Sequence, residues 1–314
     1  MTTSAAQPPA SPAANTDDHA RFAPVDWVLF VSISLIWGSS FLLIAIGLDD
    51  LTPGMVTWLR VASGALMLWI MRLATRGRTT TSGTATRIDP GDRLRVVALS
   101  VLWVAIPFTL FPLAQTSISS ALTGLLNGAT PIFVAIVSII VTRRFPSPAV
   151  LAGLALGFAG VFAMSLPSLG QSSNEASGVA MVVAATVCYG MAINLAAPLQ
   201  RRYGAITLMT PVLTLASLWL VPVGLRDLGE NDWNADTLVA VLGLGLIGTG
   251  LAYWIMATLV GRVGPVRGSF ITYLIPVVSL ILGVALRDER VAALALVGAA
   301  LTTTGAILAS RRQR

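Results

Sequence analysis

The chain has 314 residues, of which 55% are hydrophobic and only 11% charged, against about 25% charged in an average soluble domain. That deficit excludes a cytosolic globular protein. The net charge of +6 would suit nucleic-acid binding, but all 20 basic residues are Arg and nearly all sit in short connections or tails flanking apolar stretches, so no nucleic-acid partner is expected.

Residues 1–24 are rich in Ala, Pro, Ser and Thr and read as a disordered cytoplasmic tail. They lack the basic start of a signal peptide, and the apolar run after them is too long for one. Ten apolar stretches follow, at 27–47, 54–73, 95–115, 118–141, 148–166, 178–199, 205–224, 237–259, 264–286 and 291–310. Each is near the ~20 residues that carry a helix across a bilayer core. None shows the alternating polarity of barrel strands. The loops are too short to hold a soluble catalytic domain, and the longest, 74–94, is a Thr/Gly/Arg-rich connector.

Arg placement predicts the orientation. With both termini in the cytoplasm, 16 of the 20 Arg fall inside, Arg226, Arg287 and Arg290 fall outside, and Arg60 lies within the second stretch. The pattern also occurs twice. Residues 118–164 align on 263–309 at an offset of 145, pairing Pro131 with Pro276, Gly153 with Gly298 and Gly160 with Gly305. Five spans per half forces the second half to enter the membrane upside down. The expected fold is therefore all-α integral membrane, with ten transmembrane helices arranged as two inverted five-helix repeats, 27–166 and 178–310.

Several residues are candidates for a site between the halves. Pro131 and Pro276 each free the carbonyl four residues earlier. Those carbonyls belong to Asn127 and Thr272, whose side chains are also polar. Such groups at membrane depth face protein or a water-filled cavity, so they are either a binding feature or a kink bonded to neighbouring helices. Trp37 and Tyr189 occupy matching places, each followed by Gly, and Ser34 and Ser40 share the Trp37 face. These read equally as a cavity wall or as small-residue packing. Tyr253 aligns with Phe108. Arg60 either snorkels toward the nearer membrane face or meets a substrate carboxylate. The glycines on the fifth stretch, Gly153, Gly157 and Gly160, read as a packing stripe.

No Asp or Glu falls inside any stretch, which favours facilitated transport or exchange over proton or sodium coupling. The single His19 and single Cys188 leave no disulfide within the chain and no His/Cys metal site. No catalytic residue, metal or cofactor is expected, and the protein is not expected to be an enzyme.

The motifs Trp37-Gly38-Ser39-Ser40-Phe41, Leu59-Arg60-Val61-Ala62, Ala129-Thr130-Pro131-Ile132-Phe133, Tyr189-Gly190, Ile275-Pro276-Val277 and Arg287-Asp288-Glu289-Arg290 come in this order. Over residues 27–310 the chain resembles the EamA family of the drug/metabolite transporter superfamily. The resemblance implies a ten-helix carrier in the inner (plasma) membrane, often an exporter of amino acids or similar small metabolites. It also implies that spans one to four and six to nine line a central cavity. The family usually carries Glu at the turn after both the fourth and ninth spans. Glu289 keeps the second, whereas Arg144 stands at the first. The implied partners are a small-molecule substrate and the lipid bilayer, with the oligomeric state left open. A lipid flippase is the alternative within transport. A non-transporting receptor or assembly factor is the alternative from another class.

Overall fold

A computed structural model describes residues 23–74, 87–143, 147–169, 173–263 and 271–310. The N-terminal tail, most of the 74–94 connector and Arg144 lie outside the described residues. The described residues form helices and connecting turns, with no strand among them. Seven helical segments are long and apolar enough to cross a membrane, and three shorter apolar helices span 205–219, 271–287 and 293–308.

The first half opens with α1 (Pro24–Gly47) and α2 (Pro53–Ala74). Proline at the start of α1 is pre-set for the first helical turn. The Asp26 carboxylate accepts from the Ala23 backbone N–H at 2.9 Å, satisfying one of the end's orphan donors. The third stretch is three pieces: α3 (Arg93–Leu99), a π-helical turn at Ser100–Ala105, and α4 (Ile106–Gln115). The fourth stretch is also divided, into α5 (Ser120–Asn127) and α6 (Thr130–Thr142). It is followed by α7 (Pro148–Leu169).

The second half runs through α8 (Ser173–Tyr203), α9 (Ala205–Trp219) and the short α10 (Val221–Leu225). Then come α11 (Ala235–Gly245), a second π-helical turn at Leu246–Leu251, and α12 (Ala252–Val263). It closes with α13 (Ile271–Arg287) and α14 (Ala293–Ser310). The two π turns lie at equivalent places: the 145-residue offset carries Val101 onto Leu246. Such turns often mark functional sites.

The halves interlock through matched contacts. A Cβ built on Gly38 of α1 would meet Val278 of α13, and one built on Gly190 of α8 would meet the Phe133 backbone carbonyl carbon of α6 at 2.8 Å. Phe133 and Val278 are themselves related by the 145-residue offset. Each half thus inserts its first helix, at a glycine, against the fourth-stretch helix of the other. The glycine stripe of α7 packs as expected. A Cβ on Gly298 of α14 would lie 2.6 Å from the Gly160 carbonyl oxygen, so the two helices touch backbone to backbone.

The proline pair behaves differently from expectation in the first half. Pro131 does not kink a continuous helix. The helix stops after Asn127, and Pro131 sits in the first turn of α6, where its missing N–H costs nothing. The Asn127 carbonyl is met locally by the Thr130 hydroxyl at 2.8 Å. In the second half Pro276 lies inside α13, and the segment just before Ile271 is outside the described residues.

Large apolar side chains remain on the outer surface, among them Leu35, Phe162, Val277 and Ile281. In a soluble protein this would be an aggregation hazard; here it is the surface a bilayer covers.

Candidate functional site

Among the described residues one cation is buried in the bundle. Arg60 of α2 is only 6% exposed. It does not snorkel to a membrane face. Its Nε donates to the Thr249 hydroxyl at 3.2 Å, and its guanidinium lies 3.9 Å from the centroid of the Phe108 ring. Among the described residues no carboxylate lies within ion-pairing distance of it.

Local backbone approach explains how Arg60 reaches Thr249. The glycines of the eighth stretch bring α2 close to the second π turn. A Cβ on Gly245 would sit 2.5 Å from the Arg60 carbonyl oxygen, and one on Gly250 would sit 3.0 Å from the Gly64 carbonyl oxygen. Side chains larger than hydrogen at those points would force the helices apart. The Thr249 hydroxyl also lies 3.2 Å from the carbonyl of Leu244, five residues back, the spacing a π turn creates.

Aromatic rings surround this centre. Tyr253 meets Trp37 edge-on at 6.2 Å and Trp103 edge-on at 6.1 Å. Phe111 lies 5.9 Å from Tyr189, and both Tyr189 and Tyr253 lie within electrostatic reach of Arg60. Trp37 packs against all three apolar clusters of the core. Phe108 of α4 and Tyr253 of α12, aligned at the 145-residue offset, thus lie in one buried cluster, each just past a π turn. Ser40 lies beside the second π turn, 3.4 Å from where a Cβ on Gly248 would stand, and donates to the Ile36 carbonyl at 3.0 Å.

Of the residues singled out from the sequence, Trp37, Ser40, Arg60, Phe108, Tyr189 and Tyr253 therefore gather at the centre. The proline pair lies elsewhere. Asn127 and Pro131 flank the α5–α6 break, and the Pro276 ring packs against the Gly128 backbone there. Thr272 lies in the first turn of α13. Pro276 and the α5–α6 break thus meet at a helix crossing.

The two ends of the bundle are tied between halves. At one end Arg287 clamps Asp49 with two bonds of 2.7 and 2.8 Å. Thr237 bonds Asp50, and the Thr52 N–H donates to Asn231 at 2.8 Å. Glu289 accepts from the backbone N–H groups of Ser120 and Ala121 and from the Ser120 hydroxyl. A cavity of about 360 Å³ opens beside these residues, lined in part by Gln115, Ser119 and Ser120. At the other end Arg262 pairs with Asp26, and Arg202 with Asp89 and Asp92. Tyr203 also donates to Asp92 at 2.7 Å.

The pattern of the EamA-like transporter family matches the chain twice, over residues 27–166 and 176–311. The chain belongs to the EamA-like transporter family. It is a multi-pass membrane transporter and not an enzyme. An uncharacterized transporter of Archaeoglobus fulgidus is 26% identical across 91% of this chain and 99% of its own length. A probable amino-acid metabolite efflux pump of Escherichia coli is 24% identical, covering 89% of this chain and 93% of its own. A crystal structure with 18% identity superposes with a TM-score of 0.61 over 91% of this chain and 96% of its own, which shows a shared fold.

Sequence reasoning missed Thr249 and Trp103 in this EamA-like transporter. Neither belongs to a motif, and each is placed by a π turn that hydropathy does not reveal. It also missed the partners of Glu289, whose acidic turn was legible but whose target on α5 was not.

Proposed function

We propose that this EamA-like transporter is a ten-helix secondary carrier of small organic metabolites, amino acids or similar, working as an exporter or facilitator. Its two inverted five-helix repeats, 27–166 and 178–310, exchange conformations about the Arg60 site. Both termini lie on the cytoplasmic side of the plasma membrane, and the Arg287–Asp49 and Glu289–Ser120 ties lie outside. The matched Gly38–Val278 and Gly190–Phe133 contacts support the repeat reading, as does the double family match.

The observation that carries the reading is the buried, carboxylate-free Arg60 ringed by Trp37, Trp103, Phe108, Tyr189 and Tyr253. A charge at membrane depth is costly, and binding a solute is the use that repays it. Ser40 and Thr249 complete the polar part of the site. The paired-proline group, Asn127, Pro131, Thr272 and Pro276, shapes the crossing over which the halves move. The export direction draws on the name of the Escherichia coli relative, a probable amino-acid metabolite efflux pump.

The flippase alternative receives less support. The groove between α1 and α13, about 310 Å³, is lined by Leu35, Ile36, Ser39, Val278, Ile281 and Leu282 and carries no charge to receive a lipid headgroup.

The test is flux in liposomes reconstituted with the purified protein, each preloaded with the unlabelled solute, against a panel of labelled amino acids, oxo acids and amines. Saturable uptake of any panel member above protein-free vesicles supports a carrier. Binding without flux across the panel points to a receptor.

A further inference from the structure

On that reading, we infer that the carrier moves carboxylate-bearing solutes by exchange only, with the solute's carboxylate acting as the counter-ion Arg60 otherwise lacks. A guanidinium has five N–H donors. Only Nε of Arg60 has an acceptor among the described residues, and that acceptor is a neutral hydroxyl. Gln115 alone, among the described residues, carries side-chain polar atoms that are both sealed and unpaired. The two terminal nitrogens of Arg60 are therefore neither bonded to a described residue nor fully sealed. The hydroxyls of Tyr189 and Tyr253 likewise have no hydrogen-bond partner among the described residues and are not sealed. Arg60 thus keeps unspent donors, with the two tyrosines close enough to interact with it electrostatically, and no anion is paired with it among the described residues.

Among the described residues no carboxylate is paired with Arg60. Asp26, Asp49, Asp89 and Asp92 are held by Arg at the two ends of the bundle. Asp50 is bonded by Thr237, and Glu289 is spent on α5. The planar fork of Arg60 suits a bidentate carboxylate. The walls set by Trp37, Trp103 and Phe108 suit an apolar body attached to it.

The same geometry determines the cycle. When the site is open, water solvates the guanidinium. When the bundle closes over an empty site, the charge is dehydrated with one neutral hydrogen bond and one aromatic face to compensate it, and a buried charge left without its partner is strongly penalised. A bound carboxylate removes that penalty. The loaded carrier passes through its closed state readily, and the empty one does not. Each outward step must then be matched by an inward step with another anion aboard.

The experiment uses the full-length protein in liposomes with three probes: phenylpyruvate, L-phenylalanine and L-phenylalaninamide. The expected result is uptake of labelled phenylpyruvate or L-phenylalanine roughly a hundredfold faster into vesicles preloaded with the same solute than into empty ones. The amide, lacking a carboxylate, is not carried. In Arg60→Gln, checked for folding by its unfolding midpoint, the ratio of preloaded to empty uptake falls to about one. Arg60→Lys keeps the charge and keeps the ratio, with weaker binding, so the inference stays testable if the Gln variant does not fold. Equal filling of empty and preloaded vesicles by the wild type overturns the inference, as does carriage of the amide or an unchanged ratio in Arg60→Gln. Wild-type flux confined to solutes without a carboxylate leaves the transporter reading standing and sinks this one alone. No flux of any solute sinks both.

Discussion

Glu289, in the turn after α13, caps the start of α5 in the other half of the chain. Its carboxylate takes the N–H of Ser120 at 3.0 Å, the Ser120 hydroxyl at 2.7 Å and the N–H of Ala121 at 2.8 Å. It does for that helix what an N-cap side chain does, but from 169 residues away. The helix dipole adds to the attraction, because a negative charge sits at the positive end.

Removing that carboxylate should therefore loosen the two halves at this end. Glu289→Ala loses charge-assisted hydrogen bonds worth about 1.5–3 kcal/mol and lowers the unfolding midpoint in detergent. Glu289→Gln keeps the acceptor oxygen and should fall between the two. A midpoint unchanged in both variants would mean the cap contributes nothing.

The Arg287–Asp49 pair should behave otherwise. Both side chains are partly exposed, at 34% and 46%, and such pairs contribute about 0–1 kcal/mol. Asp49→Asn should leave the unfolding midpoint nearly unchanged. Because the pair ties the halves, the same substitution should alter the rate of substrate flux. A large loss of stability with normal flux would reverse these roles.

Gly250 and Gly245 hold α2 against the second π turn. Gly250→Val pushes a side chain into Met67 and the Gly64 carbonyl and should separate Arg60 from Thr249. The expected outcome is about 1–3 kcal/mol of destabilisation together with weaker substrate binding. Thr249→Val tests the second effect alone. It removes the hydroxyl while keeping the shape, and binding should weaken without a comparable drop in the midpoint.

The orientation predicts a labelling pattern. In a Cys188→Ser background, a cysteine at Thr80 should resist an impermeant thiol reagent in intact cells, and one at Gly229 should react. Ready labelling at Thr80 would overturn the cytoplasmic placement of that connector.

Much of this protein was legible in the sequence, because membrane insertion is decided by local composition. A run of apolar residues near twenty long is helical in lipid whatever surrounds it, since its backbone has no other way to satisfy its hydrogen bonds. The family followed from motifs read in order. The glycines of α7 declared close packing through their spacing, and the 145-residue offset was legible in Pro131 and Pro276 and in the matched glycines of α7 and α14. Arg60, Trp37, Tyr189 and Tyr253 stood out because charge and aromatic rings are conspicuous in an apolar background. What only the tertiary structure decided is which of these meet. Hydropathy is the same for an unbroken helix, a π turn or a helix stopped at Asn127, so it could not place Thr249 against Arg60 or turn the Pro131 kink into a break. Nor could it send Glu289 to Ser120. Contacts between residues more than a hundred positions apart depend on how two halves interlock, and that is settled by backbone approach at Gly38, Gly190, Gly245 and Gly250, where the absence of a side chain lets one helix reach another.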